Sequence, residues 1–303
     1  MKTSTLRITV RQRKCLPKTF TTKQGAFIMK QIPRSISPEI AASQLQVMDI
    51  TMNCRVLGSG HPLLMIMGYG STMNLWESTL LEKLAEHFKV IVFDNRGIGG
   101  TQTGTQPFSI GQFAEDSAAL LQSLDVEHAH VLGWSMGSLI AQELALRHPS
   151  LISKLILYAA HCDAKMFPPS PEVLTMLTDT SGTPEERGMR YISTLFPENW
   201  LHGNGQRMKE IFFRPMGTIP EESVGRQAAA IDEWNGTTGK LGEITCPTLL
   251  ITGSEDKLTV PDNARYMSER IPDAELIIIE NGGHGLMFQY PEIFRDSVIG
   301  FLG

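Results

Sequence analysis

From Val47 to the C-terminus, short apolar runs alternate with longer stretches in which apolar residues recur every three to four positions. A chain with that rhythm has few solutions other than a mostly parallel sheet whose strands are joined by crossover helices. The strand candidates are Val47 to Val56, Leu63 to Met67, Val90 to Phe93, Ala129 to Gly133, Leu155 to Tyr158, Thr248 to Thr252 and Leu276 to Glu280. Gly58, Ser59 and Gly60 separate the first from the second as a tight turn would. Helical spacing runs over Asn74 to His87, over Ser109 to Ser123, where Ser109 and Gln112 read as a capping box, and over Met136 to Arg147.

The rhythm breaks between about His161 and Gly242. The segment is Pro-rich at first (Pro168, Pro169, Pro171), then helical, with scattered aromatics, and the strand pattern resumes at Pro247. An interruption of some eighty residues that returns to the same sheet reads as an inserted helical cap over residues 161–242. The core is then divided between 46–160 and 243–303. A total of 303 residues, 42% hydrophobic, can bury a large core. No run approaches the ~20 apolar residues that span a bilayer. Cys15, Cys54, Cys162 and Cys246 form no CxxC pair and read as buried or incidental thiols.

The net charge of −5 hides an asymmetry. Residues 1–38 hold nine Lys or Arg and no acid, leaving eighteen basic and thirty-two acidic side chains in the other 265, a balance of −14. An acidic body repels polyanions, so nucleic acid is not an expected partner. Residues 1–45 read as a basic, poorly ordered extension without the apolar core of a secretory signal. A cytoplasmic protein is expected, with organellar targeting by the basic arm as the alternative.

The chemistry concentrates at Gly133, Trp134, Ser135, Met136, Gly137, a G-x-S-x-G that follows the apolar run His130, Val131, Leu132 and opens a helix. A serine on so sharp a strand-to-helix turn stands clear of the sheet, and side chains at the flanking glycines would collide with their neighbours. The helix start at Met136 aims unpaired N–H groups and a positive dipole end at the same place. A serine hydroxyl is a weak nucleophile without a base, and the base needs an orienting carboxylate. Asp256 follows the strand Thr248 to Thr252, and a carboxylate at that end of a parallel strand shares the serine's sheet edge. Glu255, one residue earlier, is the competing acid. His284 lies in the Gly-rich loop Asn281 to Gly285 after the last strand, where an imidazole can reach back over the edge.

With these motifs in the order Ser, acid, His, the chain resembles the α/β-hydrolase superfamily over most of residues 46–303, in its serine-nucleophile esterase or cofactor-free haloperoxidase-like branches. Phe93 to Thr101 is similar to the family's D-x-R-G-x-G-x-S loop, with Thr101 in place of the serine. The family's H-G pair at the end of the third strand reads Met67, Gly68 here, so the histidine is lost while the backbone amide of Tyr69 remains. The resemblance implies an α/β-hydrolase fold, a triad of Ser135, Asp256 and His284, and an oxyanion hole from the N–H groups of Tyr69 and Met136. It implies a carboxylic ester hydrolase with no cofactor, and the aromatics and methionines of the cap segment lead us to expect a small to medium apolar acyl substrate. A perhydrolase, an acyltransferase or a non-catalytic receptor on the same fold would share these residues. Serine at the elbow argues against the aspartate-nucleophile dehalogenase and epoxide-hydrolase branches.

Met67, Trp134, His161 and Leu286 are the expected pocket residues, with His161 otherwise packing at the entry to the cap. Asp94 and Arg96 read as an ion pair or loop anchors. His128 and His130 straddle a strand start without a third ligand nearby, so no metal is expected. Oligomeric state leaves no mark in the sequence.

Overall fold

The computed structural model describes residues 5–12, 15–23, 42–212 and 215–303. Among them ten strands form one sheet: β1 (Thr5–Gln12), β2 (Cys15–Lys23), β3 (Ser43–Val47), β4 (Ile50–Leu57), β5 (His61–Ile66), β6 (Phe88–Phe93), β7 (Ala129–Trp134), β8 (Ile152–Tyr158), β9 (Thr248–Gly253) and β10 (Ala274–Ile279). The spatial order is β2-β1-β10-β9-β8-β7-β5-β6-β4-β3. The six strands from β10 to β6 are parallel, and the outer pairs at both edges are antiparallel.

Helices α1 (Ser78–Ala85), α2 (Ile110–Ser123), α3 (Met136–Arg147), α9 (Pro261–Arg270), α10 (Leu286–Gln289) and α11 (Pro291–Leu302) accompany the sheet. Helices α4 (Pro171–Thr178), α5 (Pro184–Leu195), α6 (Glu198–Gly203), α7 (Gly205–Phe212) and α8 (Glu221–Asp232) lie in the long excursion between β8 and β9. Alternate strand residues feed two cores, as the two-residue side-chain period requires. Leu64, Ile66, Val131 and Leu155 pack with α2, α3 and α9, whereas Leu63, Met65, Leu132 and Ile156 pack with α1 and α11. With both faces covered, β7 is buried at every position. Ser109 caps α2 by accepting the Gln112 N–H at 3.0 Å, but the Gln112 side chain turns to Asp116 instead of completing the box.

Two expectations need correction. The apolar run Val47 to Val56 is not one strand: it folds back at Met48 and Asp49, with Met48 at φ +50°, into the β3–β4 hairpin. The turn is held from afar, since the Asp49 carboxylate takes the N–H groups of Thr105 (2.6 Å) and Gln106 (3.0 Å) and pairs with Arg96 at 2.8 Å. The Arg96 hydrogen bond, with those amides, holds Asp49 far below the usual carboxylate range. The basic N-terminal segment, expected to be poorly ordered, supplies two strands. β1 pairs antiparallel with β10, Ile8 opposite Ile279 and Val10 opposite Ile277, and β2 pairs with β1. The rest of 1–41 lies outside the described residues.

Candidate active site

Ser135 sits between β7 and α3 at φ +55°, ψ −120°, a backbone conformation that L-residues rarely hold. Its surroundings enforce it. The Ser135 amide donates to Tyr158 O at 3.0 Å, and its carbonyl accepts from Ser138 N (2.8 Å) and Ser138 Oγ (2.6 Å). A Cβ on Gly133 would fall 2.2 Å from Gly137 O, and one on Gly137 would fall 2.1 Å from Ile66 O. The turn closes this tightly because both flanking positions lack side chains.

His284 follows β10 in the loop that leads into α10. Its carbonyl accepts from Trp134 Nε1 (3.2 Å) and from the buried Tyr158 hydroxyl (2.6 Å), which fixes the loop to β7 and β8. Burial raises the Tyr158 phenol well above its ordinary value, so it stays a donor. The His284 Nδ1 faces Asp256 at 2.9 Å from Oδ2 and 3.1 Å from Oδ1. Asp256, after β9, also accepts from the amides of Leu258 and Thr259, both at 2.9 Å, and from Thr259 Oγ1 at 2.8 Å. The carboxylate is thus buried but well supplied with donors, and it orients the imidazole. Glu255 makes no hydrogen bond to His284; its amide donates to Gly282 O.

A cavity of about 190 Å³ opens over this edge, lined by Gly68, Tyr69, Trp134, Ser135 and His284. The opposite wall comes from the excursion between β8 and β9, through Tyr191, Leu195, Phe212, Met216 and Ile219. The Gly70 amide donates to Gln227 Oε1 at 2.9 Å, whereas no acceptor among the described residues takes the amides of Tyr69 or Met136. Gln227 is fully buried on α8, so the loop after β5 is tied to that helix. Leu195 O accepts the Gly285 amide at 2.9 Å and ties α5 to the His284 loop in the same way.

Of the expected pocket residues, Trp134 lines the cavity and Met67, His161 and Leu286 do not. The Met67 side chain points into the core, and its carbonyl accepts from Asn95 Nδ2 at 3.1 Å. Leu286 is fully buried at the start of α10. The His161 ring packs against Trp234 at 5.9 Å, its Nδ1 has no partner, and burial lowers its pKa to about 4. Asp94 and Arg96 do not pair with each other. Asp94 anchors Met73 N, Gly100 N and Asn53 Nδ2, while the fully buried Arg96 bridges Asp49 and Asp116. Tyr191 and Gln227 are absent from the residues that sequence patterns single out. The one available signal for Gln227 is a polar residue on the α8 face that also buries Ser223 and Ala230.

The profile of the α/β hydrolase fold family matches residues 61–197. The chain is 29% identical over 244 residues to "Putative carbamate hydrolase RutD" of Caulobacter sp. (strain K31), covering 78% of this chain and 88% of that one. It is 27% identical over 266 residues to the pimeloyl-[acyl-carrier protein] methyl ester esterase of Nitrosospira multiformis, covering 84% and 98%. Among solved structures, a hydrolase from Pseudomonas aeruginosa PA01 superposes with a TM-score of 0.75 at 25% identity, over 88% of this chain and all of that one. The chain has the α/β-hydrolase fold. No helix among the described residues is long and apolar enough to cross a membrane.

Proposed function

We propose that the protein hydrolyses a carboxylic ester or related acyl bond of a small to medium, largely apolar substrate, with Ser135 as nucleophile, His284 as base and Asp256 as its orienting carboxylate. The observation that carries this reading is the strained Ser135 at the floor of a cavity that also holds His284, the latter fixed by Asp256 at 2.9 Å. His284 takes the hydroxyl proton as Ser135 attacks the carbonyl and later returns it to the leaving alkoxide. Asp256 holds the Nδ1–H tautomer and stabilises the imidazolium. The amides of Tyr69 and Met136 meet the developing oxyanion, and Met136 adds the positive end of α3. Water then releases the acyl group from Ser135. The relatives named for ester and carbamate hydrolysis support this class, because both reactions pass through an oxyanion at an acyl carbon. Leu75, Leu195, Phe212, Met216 and Ile219 give the substrate its apolar surroundings.

The test is labelling with a fluorophosphonate probe, followed by hydrolysis of p-nitrophenyl esters of increasing chain length. Wild type should be labelled and Ser135→Ala should not. Labelling of the variant, or its retention of full ester hydrolysis, would move the nucleophile elsewhere; a folded wild type that takes no label favours a non-catalytic receptor.

A further inference from the structure

The cavity has two unlike ends. At the sheet edge lie Ser135, His284 and the free amides; across from them the wall is built by Leu195, Phe212, Met216 and Ile219, with Tyr191 among them. Tyr191 projects from α5, and its phenol oxygen makes no hydrogen bond with any described residue, whereas its backbone carbonyl accepts from Thr194 Oγ1 at 2.6 Å. Of the other hydroxyls lining the cavity, that of Ser71 is already used, since its Oγ donates to Tyr69 O at 3.1 Å.

Tyr191 is half-buried, and its hydroxyl meets solvent through the cavity. A substrate that fills the cavity excludes that solvent and leaves the phenol with a desolvation penalty unless it supplies an acceptor. A substrate oxygen that accepts its hydrogen bond removes that penalty. Burial and the neighbouring Tyr69 push the Tyr191 pKa up to about 12, so the group is a neutral donor at any ordinary pH. The volume of about 190 Å³ is below the ~300–1,000 Å³ of drug-sized sites, so the complementary ligand is short.

We propose that Tyr191 is a specificity-determining residue that hydrogen-bonds a neutral hydroxy or oxo oxygen on the substrate, making short oxygen-substituted esters, and not plain alkyl esters, the preferred class. This rests on the ester-hydrolase reading above. A site built to pair a substrate oxygen discriminates against the analogue that lacks it, because the phenol is then left unpaired.

The experiment compares methyl 3-hydroxybutanoate with methyl butanoate, using wild type and Tyr191→Phe. In the variant kcat/KM for the hydroxy ester should fall about tenfold, mainly through KM, with methyl butanoate changed less than twofold. An equal loss on both esters, or no loss on either, overturns the assignment. Should Tyr191→Phe fail to fold, wild type decides alone: with each rate divided by that ester's alkaline hydrolysis rate, a preference of tenfold or more for the hydroxy ester supports the proposal and a smaller one overturns it. Fluorophosphonate labelling of Ser135 in the same preparation separates the two levels. Labelled protein that turns over neither ester refutes the substrate class alone, whereas unlabelled protein refutes the hydrolase reading beneath it.

Discussion

Replacing Gln227 with Met tests whether helix α8 holds the Tyr69 amide, the proposed oxyanion donor, in place. Gln227 is fully buried, its Oε1 takes the Gly70 amide at 2.9 Å, and its Nε2 is buried without a partner. Gly70 follows Tyr69 directly and stands at φ +59°, so a shift there turns the Tyr69 N–H away from the cavity. Methionine keeps the length and volume and removes both polar ends. Losing the acceptor strands the Gly70 amide, at about 1–3 kcal/mol; losing the unpaired Nε2 relieves a penalty of the same order. The two offset, so the midpoint of thermal unfolding should move by no more than about 5 °C. Catalysis has no such offset. Outright removal of an oxyanion donor costs about 10²–10³ in kcat, and loosening the Tyr69 amide should cost about ten- to a hundredfold, with KM changed less than about threefold. Steady-state kinetics on a p-nitrophenyl ester beside a thermal melt would measure both. A kcat within threefold of wild type would refute the reasoning and leave Gln227 a purely structural tie.

Two further perturbations address the acid and the pH dependence. In Asp256→Asn the side-chain oxygen still accepts the Leu258 and Thr259 amides, but an NH₂ then faces Nδ1 and favours the wrong tautomer; kcat should fall about 10³–10⁴-fold with the fold intact, and a silent Asp256→Asn beside an inactive Glu255→Gln would move the acid by one residue. His130 is 7% exposed, packs on His61 at 4.2 Å between centroids, and burial lowers its pKa from the ordinary 6.5 to about 4. The unfolded chain therefore takes up the proton first, so the stability tied to His130 is complete above about pH 6.5 and falls by about 3 kcal/mol as pH drops to about 4. Urea unfolding of wild type and His130→Gln at pH 7.5, 5.5 and 4 should show a shallower decline in the variant, and identical slopes would refute it.

The parts of the site legible in the sequence are those that a strand end dictates. Ser135, Asp256 and His284 follow β7, β9 and β10, and the parallel pairing of β7 with β8, β8 with β9 and β9 with β10 brings these ends to one edge. Ser135 carries a further local mark, because a turn that places a Cβ of Gly137 within 2.1 Å of Ile66 O can be written only with glycine. The Met48–Asp49 turn has no such mark. Its polar ties come from Arg96, Thr105 and Gln106, some fifty residues away, and nothing in the local composition announces them. In the N-terminal segment the signal was present but outweighed: Leu6, Ile8 and Val10 alternate as a half-buried strand should, yet a basic, acid-free composition argues for disorder.

The pocket residues fail for a different reason. Met67 is adjacent in sequence to Gly68, which lines the cavity, but neighbouring side chains near a strand end point in opposite directions, and Met67 belongs to the core. Proximity along the chain to a residue that lines the cavity therefore says little about facing it. In the helices between β8 and β9 the difficulty is deeper, because an apolar stripe that covers a cavity and one that covers a core have the same period. Tyr191 and Leu195, four residues apart on α5, present one face to the cavity, while Ile192 on the same helix is buried in the core. Periodicity identifies such faces without saying what they meet. Two polar residues interrupt these apolar stripes, a phenol on α5 that lines the cavity and an amide on α8 whose Nε2 is buried without a partner among the described residues.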